Sequence, residues 1–355
     1  MQRRRFLAAL ASLAALPAIA TEFAPVLPGR RLAFPADHGA HLDFCTEFCY
    51  DSGWLYPTYS SPVVFHVTFF RLRTGRGKCN PSTFAPRQLI LAHAAIADPR
   101  LGRLRHDERS ARVGPGHAGF DTSTTRVWLG DWRFELGPKG YRARVQGADF
   151  AYQLDLQPDG PPLLQGQAGF SRKAADPRHA SYYYSRPQLR VSGQLTLDGT
   201  ARPVTGQAWL DHEWSSELLP DGAQGWDWIG LNLDDGSGLM AFRLRDAAGK
   251  ALWSAATIRP AGQIGQVLPP EAVHFTPLRQ WHSPRSGIDW PVVWRVQAGG
   301  RYFELQPLID DQELDSRRST GAIYWEGAVR ALEGGREVGR GYLEMTGYGK
   351  KIRVR

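Results

Sequence analysis

Cysteine and methionine are scarce in this chain, three of each among 355 residues, and no charge of one sign dominates. An odd number of cysteines cannot all pair within one chain, so at least one of Cys45, Cys49 and Cys79 stays free. If Phe44 to Tyr50 is a strand, residues four apart lie about 13 Å apart, beyond the roughly 7 Å that a disulfide spans. Cys45 and Cys49 therefore do not bond each other, and either can pair with Cys79. No zinc-ligand spacing surrounds them, and no metal or other cofactor is expected. After the export signal no apolar stretch approaches the roughly 20 residues of a membrane-spanning helix, which excludes a helical membrane protein. Net charge is +8 and falls to +5 when Arg3, Arg4 and Arg5 leave with no acid. Positive residues are mixed with acids rather than run together, which excludes a nucleic-acid partner. There is no Gly-x-Ser-x-Gly elbow, no phosphate-cradling glycine loop and no His-Glu-x-x-His helix. Apolar residues rarely recur at helical spacing.

The N-terminus does carry a recognisable signal. Arg3 to Arg5, an apolar run from Phe6 to Leu16 and the small-residue end Ala18-Ile19-Ala20 describe an export peptide cleaved after Ala20. Arg3-Arg4-Arg5-Phe6-Leu7 fits the twin-arginine order, so a folded, periplasmic protein is expected from residue 21 onward.

Alternation of apolar and polar residues is abundant. Phe150, Tyr152, Leu154 and Leu156 alternate with Ala151, Gln153 and Asp155, and 127–136, 188–197 and 302–309 read alike. Residues 63–72 are apolar almost throughout, as in a strand covered on both faces. Pro158-Asp159-Gly160, Asp198-Gly199 and Asp235-Gly236 mark hairpins. Short strands without intervening helices predict an all-β protein of antiparallel barrels. An internal echo predicts two of them: Gly206-Gln207-Ala208-Trp209-Leu210-Asp211 returns as Gly339-Arg340-Gly341-Tyr342-Leu343-Glu344. About 335 mature residues suit two domains. The expected bounds are 34–218 and 219–355, with the junction among Ser215 to Gly225, where Pro220, Gly222 and Gly225 cluster. Asp98 to Gly119, rich in Arg, Gly and His without any period, reads as a long loop over a barrel mouth.

The first copy of the echo runs on into His212-Glu213-Trp214. Period two puts Trp209, Asp211 and Glu213 on one face and Leu210, His212 and Trp214 on the other. Asp211 and His212 converge only if the strand twists or bulges at its end. Two readings of these groups stand: proton-transfer chemistry, or capping and packing. Tyr182, Tyr184, Trp226 and Trp228 can likewise orient a ligand or fill a core. Glu47 shares a strand face with Cys45 and Cys49, so it is either exposed or paired. Tyr324 and Glu326, and again Tyr342 and Glu344, suit core hydrogen bonds better than catalysis. Asp310 to Asp315 lacks the glycine of a calcium loop.

Phe34-Pro35-Ala36-Asp37-His38-Gly39-Ala40-His41, Ser181-Tyr182-Tyr183-Tyr184-Ser185-Arg186-Pro187, Asp211-His212-Glu213-Trp214 and Gly225-Trp226-Asp227-Trp228 together resemble the AttH-like, carotenoid 1,2-hydratase-related family of predicted secreted hydrolases. Tyr324-Trp325-Glu326-Gly327 and the segment from Gly341 to Tyr348 extend the match to the C-terminus. The resemblance implies two tandem lipocalin-like β-barrels and a lipid or isoprenoid-like ligand. Relatives carry Thr-Glu-Trp-Trp-Tyr where this chain has Thr46-Glu47-Phe48-Cys49-Tyr50, a loss of two indole donors. Two functions compete. An enzyme adding water to an alkene would use Asp211 as acid and His212 or Glu47 as base, with Trp214, Trp226, Trp228, Tyr182, Tyr184, Tyr324 and Glu326 about the ligand. A non-enzymatic periplasmic lipid carrier, serving a membrane transporter, would need only the aromatics. In either case the ligand space is expected inside the barrels, with the polar groups at the end of the first.

Overall fold

The computed structural model describes residues 23–58, 61–75, 82, 85–114, 116–217 and 219–351. The export signal and Cys79 lie outside them. The first sheet contains β1 (Thr46–Pro57), β2 (Val63–Arg73), β3 (Gln88–Ala97), β4 (Leu104–Arg112), β5 (Ala118–Phe120), β6 (Arg126–Leu129), β7 (Trp132–Gly137), β8 (Gly140–Gln146), β9 (Phe150–Gln157), β10 (Leu163–Leu164), β11 (Phe170–Arg172), β12 (Ala180–Leu197) and β13 (Thr200–Glu217). The second contains β14 (Gly225–Leu233), β15 (Gly238–Arg245), β16 (Ala251–Arg259), β17 (Gln266–Leu268), β18 (Val273–His282), β19 (Asp289–Ala298), β20 (Arg301–Pro307), β21 (Glu313–Ser316), β22 (Ala322–Glu333) and β23 (Arg336–Met345). Helix among the described residues is limited to three short 3-10 turns.

Every ladder is antiparallel, and the first sheet runs β4-β3-β2-β1-β13-β12-β9-β8-β7-β6-β5. It curls into a nearly closed barrel. Its two ends meet through an isolated backbone bridge, Gly114↔Ala118, and through Arg109 of β4, which pairs with Asp131, donates to the Gln146 carbonyl at 2.8 Å and lies 4.6 Å over the Trp132 ring. The alternation read at Phe150, Tyr152, Leu154 and Leu156 points these residues into the barrel, where they meet Phe65, Ile90, Ile96, Trp132 and Leu210. The interior is filled by side chains, which removes it as ligand space. The Asp198-Gly199 turn joins β12 to β13 with both residues at positive φ, 50° and 77°, the geometry a two-residue hairpin favours.

Asp98 to Gly119 is not a long loop. It contains β4, paired with β3 from Leu89↔Arg112 to Ala97↔Leu104. Charged residues such as Arg105, Asp107, Glu108 and Arg109 hide its period, as is common on an edge strand that must avoid further pairing. Cys45 and Cys49 do not bond each other.

The second sheet runs β17-β16-β15-β14-β23-β22-β20-β19-β18 and packs its outer face against that of the first. Trp209 meets Trp228 edge-on at 6.4 Å, and the Trp54 indole donates to the Gly341 carbonyl at 3.2 Å. Gly230 lets the sheets approach: a Cβ there would lie 2.6 Å from Trp228 and 3.0 Å from Trp209. The two echoed segments are the central strands β13 and β23, each flanked on both sides within its own sheet.

One buried acid is out of place. Asp51 faces the barrel interior beside Cys49 and Leu55, and neither carboxyl oxygen has a hydrogen-bond partner. Burial, and then the nearby Asp211, push its carboxyl well above the ordinary range. Folding therefore takes up a proton at Asp51 once the unfolded side chain is ionised, and stability falls as pH rises above about 4. Asp51→Asn is expected to raise the urea midpoint at about pH 8 and to gain little at about pH 4. Equal midpoints for the two proteins at the higher pH would show that Asp51 has found a partner.

Candidate functional site

β13 divides the sequence-predicted residues between two places. Its register against β1 is unbroken from Thr46↔Ser215 to Pro57↔Val204, so no bulge brings Asp211 and His212 together. They stay on opposite faces.

His212 turns toward the barrel end, where it meets Glu47. One Glu47 carboxylate oxygen accepts from His41 Nδ1 at 2.7 Å and His212 Nε2 at 2.8 Å. The other accepts from Arg71 Nε at 2.7 Å and the His41 amide at 2.9 Å. His41 Nε2 lies 3.0 Å from Asp37, which also binds Arg30. His212 Nδ1 lies 2.9 Å from the Tyr184 hydroxyl, and Trp214 stacks on His41 with ring centroids 3.6 Å apart. Tyr182 packs beside them and exchanges hydrogen bonds with the backbone of Leu27. Burial works against charge here, yet the hydrogen bonds from His212 and His41 hold the Glu47 carboxyl well below its usual range. Burial likewise opposes a charged His212, but the Cys49 sulfur and Glu47 outweigh it and raise the imidazole to about 9. His41 is raised as well by Asp37 and Glu47. His41, Glu47 and His212 form the one group among the described residues with metal-ligand geometry. The two imidazoles already share the Glu47 carboxylate as hydrogen-bond donors, so a metal held here would have to displace their protons. The crevice beside them has a volume of about 30 Å³, room for water and not for an organic ligand.

Asp211 faces the other way, into a cavity of about 290 Å³ between the two sheets. That volume sits at the lower end of small-molecule sites. The first sheet contributes Phe48 and Tyr50 of β1, Phe70 and Leu72 of β2, Tyr183 of β12, and Asp211 and Glu213 of β13. The second sheet contributes Trp226, Trp228, Phe242, Leu244, Tyr324, Glu326 and Glu344. Asp211 and Glu344 occupy the same position of the echoed pattern and stand on the same cavity. Within its sheet Asp211 is opposite Tyr50, and Glu344 is opposite both Trp228 and Glu326.

Burial dominates the protonation of these acids. It raises Asp211 to about 7 against hydrogen bonds from Ser185 and from Trp209 Nε1, the latter at 2.9 Å. Glu344 is raised to about 8 although Trp226 Nε1 donates to it at 3.0 Å. Glu326 is pushed well above its usual range by burial and by Glu344. His66 Nδ1 lies 3.1 Å from Glu326, but burial holds His66 well below its usual value, so this is a contact of two neutral groups and not a salt bridge. Glu213 differs, since Lys173 Nζ pairs with it at 2.8 Å. The acidic run Asp310 to Asp315 lies elsewhere and is matched by Arg279, Arg285 and Arg317.

Of the residues singled out from sequence, Asp211, Trp226, Trp228, Tyr324 and Glu326 share the cavity, while Glu47, His212, Trp214, Tyr182 and Tyr184 share the barrel end. Tyr50, Tyr183, Lys173 and Glu344 were not picked out as site residues. The echo pointed to Glu344, which aligns with Asp211; nothing in the sequence pointed to Lys173.

Fold and cavity define an all-β protein of two antiparallel sheets with an acid-lined, aromatic-walled chamber between them. The chain belongs to the AttH-like family, whose profile matches residues 25–348. It is similar to a crystallised AttH protein of Nitrosomonas europaea, with 48% identity over 92% of this chain and 100% of that one and a TM-score of 0.86. Kievitone hydratase of Nectria haematococca shares the fold at 16% identity, covering 93% of this chain and 96% of that one, with a TM-score of 0.68. CghA, crystallised with Sch210972, does so at 15% identity, 86% and 89% coverage and a TM-score of 0.54. No curated protein matches the chain.

Proposed function

We propose that this is an exported, periplasmic hydratase-type enzyme that adds water to an alkene of an apolar, lipid or isoprenoid-like molecule held in the chamber between the sheets. Each sheet is read as one lipocalin-like barrel, bounded at 34–218 and 219–355. The observation that carries the reading is the convergence of Asp211, Glu326 and Glu344 on aromatic walls, where burial raises each carboxyl above the ordinary carboxylate range. Protonating an unactivated alkene needs a neutral acid in a dry site. A carboxyl gives its proton to one alkene carbon, the neighbouring carbon becomes cationic, and water adds there. The proton that the water loses returns to a carboxylate, so the sum is alkene plus water to alcohol. The likeness to a protein named as a hydratase supports this chemistry.

Protein purified from its own host is expected to release an apolar molecule on organic extraction. Incubation with that molecule should yield a product heavier by one water, seen by mass spectrometry. A tightly held molecule recovered unchanged would favour a lipid carrier instead.

A further inference from the structure

Four carboxyls converge on the chamber, and the one cation among its described lining residues serves only one of them. Lys173 pairs with Glu213 and rests 4.2 Å from the Phe242 ring centroid and 5.2 Å from that of Tyr183. Asp211, Glu326 and Glu344 are left with neutral partners: the Ser185 hydroxyl, the indoles of Trp209 and Trp226, and neutral His66. One Glu326 oxygen and the Tyr50 hydroxyl are buried on the chamber without any aligned hydrogen bond. Aromatic faces around unmatched carboxyls are the chemistry that receives an organic cation. Lys173 between Glu213 and Phe242 is the same arrangement supplied by the chain itself.

We propose that the chamber binds molecules carrying positive charge on an apolar body, such as protonated tertiary amines, with the ammonium between Asp211, Glu326 and Glu344 and the apolar part against Phe48, Phe70 and Leu72. This rests on the chamber being the ligand site. Without a ligand the three acids tolerate burial by keeping protons. A bound cation lets carboxylates form, one proton leaving the protein for each, and supplies the countercharge the fold omits. The same groups would hold the cation that a protonated alkene becomes.

The test is a titration of the full exported chain with N,N-dimethyl-n-octylamine and, separately, with n-octanol, followed by tryptophan fluorescence and calorimetry. The amine is expected to bind at least about tenfold more tightly, a difference of about 1.4 kcal/mol. Glu326→Gln combined with Glu344→Gln should erase the preference and leave octanol binding in place. Thermal melts check that the double variant folds, and Glu344→Gln alone, expected to shrink the preference, is the second variant. Equal affinity for the two probes, a preference that survives the double substitution, or no binding of either probe would overturn the proposal. Turnover plays no part in this titration, so hydration fails separately, when the host-derived molecule gains no water.

Discussion

Asp211→Asn is expected to lower water addition by roughly 100- to 10,000-fold, the usual worth of a positioned proton donor, while leaving the fold intact. The amide matches the carboxyl in size and keeps an oxygen to accept from Trp209 Nε1 and Ser185. It cannot give up a proton at any working pH. Since burial places the Asp211 carboxyl at about 7, the wild-type rate should be full in mild acid and fall as pH rises through that value. Glu344 titrates higher, at about 8, and would sustain activity roughly one pH unit further if it were the donor instead. Comparing pH-rate profiles of Asp211→Asn and Glu344→Gln therefore assigns the acid. Undiminished turnover in both variants, with the same pH limb as the wild type, would leave Glu326 as the one raised carboxyl of the chamber still able to give the proton, and the same result in Glu326→Gln would place the donor outside it.

How far the sequence could anticipate this arrangement depends on range. Local pattern was readable: one-sided burial imposes the alternation at Phe150 to Leu156, and two positive-φ residues impose Asp198-Gly199. The charged edge strand β4 escaped because a backbone ladder to β3, and ion pairs to other parts of the barrel such as Arg109 with Asp131 and Arg105 with Asp198, hold it in place of an apolar stripe. Period two correctly separated Asp211 from His212, and the unbroken ladder with β1 keeps them apart. What local pattern cannot show is which strands face each other. The chamber is made by outer faces from both sheets, each assembled by pairings such as Tyr50↔Asp211 and Trp228↔Glu344 between residues more than a hundred positions apart, and set together by contacts such as Trp54 with Gly341. The expectation of ligand space inside the barrels failed for the same reason, since the first barrel fills its own interior and the space is left between the sheets.

Glu47→Gln tests whether the barrel-end network holds the fold or performs chemistry. Removing this charge leaves Arg71, nearly fully buried, without its carboxylate, and leaves His41 and His212 to share a neutral amide oxygen in place of a charged one. Breaking a buried pair by removing one partner costs about 3–5 kcal/mol, and a fall in Tm on the order of 10 °C follows. The effect has a definite pH window. Glu47 has its carboxyl lowered, so its contribution is present above the ordinary carboxylate range and disappears as pH falls through the lowered value. His41 and His212 are raised, so theirs is fully present below about 6.5 and is lost as pH rises, through about 9 for His212. Urea unfolding should therefore separate Glu47→Gln from the wild type most widely between about pH 4.5 and 6.5, and less at about pH 9. The chamber lies across the sheet from Glu47, so the folded variant should turn over substrate at the wild-type rate when assayed well below its melting temperature. A large loss of turnover in protein shown by circular dichroism to be folded would instead return Glu47 and His212 to the catalytic machinery.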